Sequence, residues 1–227
     1  MDYRKLISFG KNSFVISLPK NWVVTNNLSK GDLIYVEKNS DSLLLRPHSA
    51  KENLSDKEIT INVDGKSFNR IHTEIFSAYI QNYKNMVIVG DSIKDLAPEI
   101  NNLAQQLVAL EVLEQDSKKI VIRDFLNYND IDVYQIISKM DVILSGMFKD
   151  LLTIFDNDVS KNIVYRDLDV NKFKNLLYRI VTYAQENPAQ CKKQLDVSQG
   201  DLFNIWWLAF KLETIGDYLV RIAKASS

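Results

Sequence analysis

The chain has 227 residues, 46% of them hydrophobic, with 28 basic against 29 acidic side chains and a net charge of −1. That length and apolar content support one or two domains with a sizeable core, and the even charge balance excludes a strongly basic nucleic-acid binder. A single cysteine, Cys191, excludes an intrachain disulfide framework and fits a reducing cytoplasm. No apolar run reaches the length of a membrane span, and the first residues lack the pattern of a signal peptide.

Residues 4–46 alternate in the manner of half-buried strands. In SFVISLP, Phe14, Ile16 and Leu18 alternate with Ser13, Val15 and Ser17, and Pro19 ends the pairing at a proline–lysine turn because it has no amide hydrogen to donate. Lys30, Gly31 and Asp32 turn into a second alternating run, Leu33 to Glu37, and Leu43 to Arg46 closes as a further strand. A segment this short cannot bury a core alone and needs a second copy.

Arg4-Lys5, Gly10-Lys11, the SFVISLPKNW core, Leu28 with Lys30-Gly31-Asp32, and Leu43-Leu44-Leu45 with Pro47 together resemble the AbrB/SpoVT-type DNA-binding domain. The resemblance implies half of a swapped-hairpin β-barrel completed by two chains, hence a homodimer whose basic N-terminal strands meet DNA. The implied DNA contacts are Arg4, Lys5, Lys11 and Lys20, directed mainly at phosphates, which position rather than specify. Charge has the matching sign. Up to Glu52 there are eight Lys or Arg against five acids, a balance of +3, and the rest of the chain carries 20 against 24, a balance of −4.

A polar linker at 48–58 separates this segment from an α/β one. A strand at 58–63, a helix at 67–83, a short buried strand at 86–89, a helix at 93–109 and a hairpin of 110–114 with 119–122 make a small sheet covered by two helices. It contains no Gly-rich phosphate loop or dinucleotide fingerprint. The two histidines, His48 and His72, have no zinc-site spacing.

From residue 130 onward the periodicity is helical throughout, predicting helices at 131–157, 168–187 and 199–225 in an antiparallel bundle. In the last helix, WLAFKLETIGDYLVRIAK, the set Leu212, Glu213, Ile215, Gly216, Asp217 and Ile222 resembles the signature helix of PhoU-type phosphate regulators. Glu213 and Asp217 are four apart and project from one side of the helix. In that family such acid pairs bind metal clusters, so the resemblance implies a divalent metal or iron held by oxygen ligands. The corresponding pair on the preceding helix is Asp167 with Asn171, and an uncharged amide stands where the family has a second acid.

This domain order resembles the archaeal phosphate uptake regulators. The fold it implies is α+β: a swapped-hairpin β-barrel half at 1–50, a small α/β segment at 58–126 and a PhoU-like three-helix bundle at 130–227. The function it implies is a cytoplasmic, homodimeric, DNA-binding regulator of phosphate uptake, without membrane insertion. The alternative is a dimeric adaptor that binds no DNA and acts on a phosphate transporter or signalling protein through the bundle. No nucleophile–base pair or zinc motif points to an enzyme.

Overall fold

A computed structural model describes residues 3–38, 43–47, 57–153, 160–188 and 194–226, leaving His48 and Cys191 outside the described residues. The chain divides into two compact units, Met1–Asn53 and Leu54–Ser227.

In the first unit, β1 (Ile7–Phe9) and β2 (Ser13–Val15) form an antiparallel hairpin with Ile7 opposite Val15. Gly10 makes the turn at φ +71°, a conformation that favours glycine. The expected long strand through Leu18 is corrected here: pairing stops at Val15, and the proline–lysine step opens a helix, α1 (Lys20–Thr25), rather than a turn. The cause is Pro19, whose φ of −61° pre-sets the chain for helix entry and whose carbonyl accepts from the Val23 amide at 3.2 Å. A second antiparallel pair follows, β3 (Tyr35–Lys38) with β4 (Leu43–Arg46). The two hairpins are separate two-stranded sheets, and within the single chain they do not close into a barrel. No described side chain of this unit is buried. Phe9 and Phe14, 68% and 66% exposed, have no core to enter.

The second unit opens with β5 (Glu58–Asn62), α2 (Phe68–Ile80), β6 (Asn85–Val89), α3 (Ile93–Gln105), β7 (Leu110–Gln115) and β8 (Lys119–Asp124). The sheet order is β5-β6-β8-β7, with β5 parallel to β6 and the other pairs antiparallel. Alternation sets its faces. Ile61, Met86, Ile88, Ile120 and Ile122 are buried together with Ile71, Ile75 and Ile100 of the two helices, while Thr60 and Glu111 point away.

A short 3-10 turn, Tyr128–Asp130, leads into α4 (Val133–Leu151), α5 (Ser160–Glu186) and α6 (Gln199–Ser226). Asp132 caps α4, its Oδ1 accepting from the Tyr134 and Gln135 amides at 2.9 and 3.0 Å. Helix α4 ends at Leu151 rather than 157, and α5 starts eight residues before the expected 168. The earlier start follows from Ile163, which continues the seven-residue stripe Val170, Leu177 and Ala184; all four are buried. Each large aliphatic side chain in that stripe contributes about 1.5–3 kcal/mol by leaving water.

Sheet and bundle are joined by a buried polar network. The Arg179 guanidinium on α5, wholly buried, donates from both terminal nitrogens to Asp124 at the end of β8 (3.0 and 2.6 Å) and from Nε to Asn82 Oδ1 (2.9 Å). Lys84 Nζ donates to the same Asp124 carboxylate at 2.7 Å, and the Tyr128 hydroxyl donates to Asn82. The Tyr128 ring stacks on Tyr183 of α5, centroids 3.7 Å apart. A buried ion pair holds only when its remaining donors and acceptors are also satisfied, and here the carboxylate accepts on both oxygens. The network fixes α5 against the sheet and so sets the position of the polar residues one to three turns earlier on that helix.

Candidate functional site

Those residues meet α6. Asp167, Asn171 and Lys174 stand at i, i+4 and i+7 on α5, along one helix face. Opposite them α6 brings Glu213 and Asp217, with Gly216 between. Lys174 Nζ donates to Glu213 Oε1 at 2.6 Å and to Asn171 Oδ1 at 3.2 Å, and Asn171 Nδ2 donates to Asp167 Oδ2 at 3.1 Å. The other Asp167 oxygen, Oδ1, is buried without a hydrogen-bond partner among the described residues. It faces Gly216, where an added Cβ would lie 2.8 Å away, so a larger residue there would displace the Asp167 carboxylate. Burial raises the Asp167 pKa above the ordinary carboxylate value, and the negative charges of Asp217 and Glu213 raise it further, against smaller opposing effects of Lys174 and Lys224.

The four residues singled out from sequence for a metal therefore do come together, but around a lysine that sequence reasoning did not include. The signal for it was present, since Lys174 continues the face of Asp167 and Asn171 by one more turn. Its ammonium lies on the Glu213 and Asn171 oxygens, where a metal ion would need them. The Asn171 amide, in the position of a second acid, turns its N–H toward Asp167. Among the described residues no three His, Cys, Asp or Glu side chains are grouped to share an ion. This donor set, with its own cation already between the oxygens, does not fit a metal centre.

Asp217 and Arg221 stand four apart on α6, and the Arg221 guanidinium lies over the Tyr218 ring, 5.6 Å from its centroid.

Arg4, Lys5, Lys11 and Lys20 are all exposed in the N-terminal unit. The register of the first hairpin places Arg4 and Lys5, just before Ile7, at its open end, with Lys20 five residues beyond Val15. Lys11 lies in the turn at the opposite end, about 10 Å away along a strand of this length. Arg4 and Lys5 thus adjoin the open end of the hairpin, Lys11 is in its turn, and Lys20 opens α1.

Strand hairpins that expose their apolar side chains, followed by a sheet layer and a helical bundle, describe a chain assembled from separate modules. Comparison with known families agrees at both ends. The family described as antidote-toxin recognition MazE, bacterial antitoxin, matches residues 7–53, and the PhoU domain matches residues 137–226. The chain is thus similar to a MazE antitoxin unit at one end and to a PhoU domain at the other, each match covering less than half of its length. No curated protein and no solved structure matches it.

Proposed function

We propose that this protein is a homodimeric, DNA-binding regulator in phosphate homeostasis, working in the cytoplasm. Two N-terminal units close a swapped-hairpin barrel and present Arg4, Lys5, Lys11 and Lys20 to DNA phosphates. The PhoU-type bundle reads a signal or docks on a phosphate transporter or signalling protein, with no catalytic step. The observation that carries this reading is the first unit itself, which buries no described side chain yet exposes all four cations. A unit of about 50 residues in that state needs a partner to fold stably. In a dimer the +3 balance of the N-terminal segment is doubled. Lys174 provides the cation of the bundle's acid cluster, so the reading needs no resident metal.

A second reading, an adaptor that only dimerises through this unit, is favoured by the small charge excess and by Lys11 standing at the opposite end of the hairpin from Arg4 and Lys5. Fluorescence anisotropy on duplex DNA across a salt series separates the two. The regulator binds with an affinity that falls steeply as salt rises, and an Arg4→Ala/Lys5→Ala/Lys11→Ala variant has a shallower slope by roughly one unit per lost phosphate contact. No binding at low salt would leave the adaptor.

A further inference from the structure

Helix α6, 28 residues long, is packed on one side only. Leu202, Ile205, Ala209, Gly216, Leu219 and Ala223 face the bundle and are buried. On the other side Phe203, Trp207, Phe210, Ile215, Tyr218 and Ile222 are each 38 to 56% exposed. At about 100° per residue these six occupy one sector of about 140°, and it runs for about 30 Å along the helix. The solvent side of a bundle helix is ordinarily polar, so an apolar face of this extent marks an interaction surface.

Its charges are of one sign. Lys211 and Arg221 are the cations of the sector, while the three acids of the helix, Asp201, Glu213 and Asp217, fall outside it. Each cation lies against the aromatic rings: Lys211 Nζ is 4.5 Å from the Trp207 centroid and 5.7 Å from that of Phe210, and Arg221 covers Tyr218.

We propose that this face of α6 docks the protein on an anionic lipid surface, with the helix lying in the plane of the headgroups. Trp and Tyr place an apolar ring in the interface and a polar edge in water, and Phe and Ile reach the acyl boundary. Lys211 and Arg221 meet acidic headgroups, and the nearest acid of the helix, Asp217, stands at the border of the sector one turn before Arg221. Two alternatives fit less well. A second copy of the same face would offer no acid within the sector to meet Lys211 and Arg221. A peptide helix needs a groove, and the groove between α4 and α6 takes in Ile215 alone of the six. The contact is peripheral, since no helix of the described residues is long and apolar enough to cross a membrane.

The test is co-sedimentation of the full chain with phosphatidylcholine vesicles, plain or containing phosphatidylglycerol, at low and high salt. Binding is expected to be at least about tenfold tighter on the anionic vesicles and to weaken with salt. A Trp207→Ser/Tyr218→Ser variant with unchanged far-UV circular dichroism should lose it. Lys211→Glu/Arg221→Glu should lose the preference for anionic lipid. Phe14→Ser, on the other exposed apolar region, should retain binding. Absence of binding to anionic vesicles, or binding that persists in Trp207→Ser/Tyr218→Ser, would overturn the proposal. So would a change of oligomeric state in that variant without lipid binding, which would assign the face to a second copy. The result is independent of whether the N-terminal unit binds DNA.

Discussion

Asp167 is the residue at which the bundle's charges are least balanced. Burial, then Asp217 and Glu213, raise its pKa above the unfolded value of 3.8. A carboxyl whose pKa is higher in the native state keeps its proton longer there than in the unfolded chain. Stability therefore falls as pH rises from the unfolded value through the folded one, and stays lower above it. Asp167→Asn removes that dependence while keeping shape. The variant is expected to have the higher urea midpoint at pH 7, with the two curves converging below about pH 4. A difference that is the same at every pH would show that the neighbouring acids are not felt at this position. Four members of the cluster were legible in the sequence because acids and amides four apart share a helix face. The ion pair across 39 residues, from Lys174 to Glu213, depends on how α5 packs against α6, which no single helix reveals.

Among the elements, α5 carries the feature hardest to see in advance. Arg179 lies three residues after Leu176 and four before Tyr183, both buried, so its position on the core side was readable. Its partner Asp124 was not, being 55 residues earlier at the end of a strand. A cation at a core position reads as a surface residue until a carboxylate is found for it. The same helix began earlier than expected because Ile163 extends the stripe across a polar stretch, and packing overrode the local composition there. Burial pushes the Asp124 pKa up, but the hydrogen bonds and charge of Arg179, with Lys84, outweigh it and hold the pKa below 3.8. Burial also raises the Tyr79 hydroxyl to about 12, with the Arg179 guanidinium 4.6 Å from its ring centroid holding back part of the rise. The native carboxylate thus contributes stability at neutral pH that is lost as pH falls below 3.8 through the folded value. Arg179→Met leaves that buried carboxylate with Lys84 as its remaining cation and is expected to cost about 3–5 kcal/mol, while adding Asp124→Leu recovers much of the loss. Denaturant unfolding of the two single variants and the double one measures the coupling. Strict additivity would mean that the pair does not join sheet and bundle.

At the scale of the whole molecule the two units differ in what holds them. Residues 54–227 contain two apolar clusters, one in the sheet layer and one in the bundle, and their periodicities were readable because each element buries a face within the same chain. The first unit was readable only as strands and turns. None of its described apolar residues is fully buried in the single chain, so alternation marks a buried face without indicating what covers it. That asymmetry has a thermodynamic consequence. A fold completed by a second copy gains stability from mass action, whereas a fold with its own core does not. Thermal unfolding of the full chain should therefore resolve into two transitions, one rising with protein concentration and one indifferent to it. Phe14→Ser, in the exposed hairpin, should lower the first and leave the second in place, with a matching shift from dimer to monomer in light scattering. A single transition independent of concentration, unchanged by Phe14→Ser, would mean that the hairpin unit is stable alone and that its exposed apolar strands serve some purpose other than dimerisation.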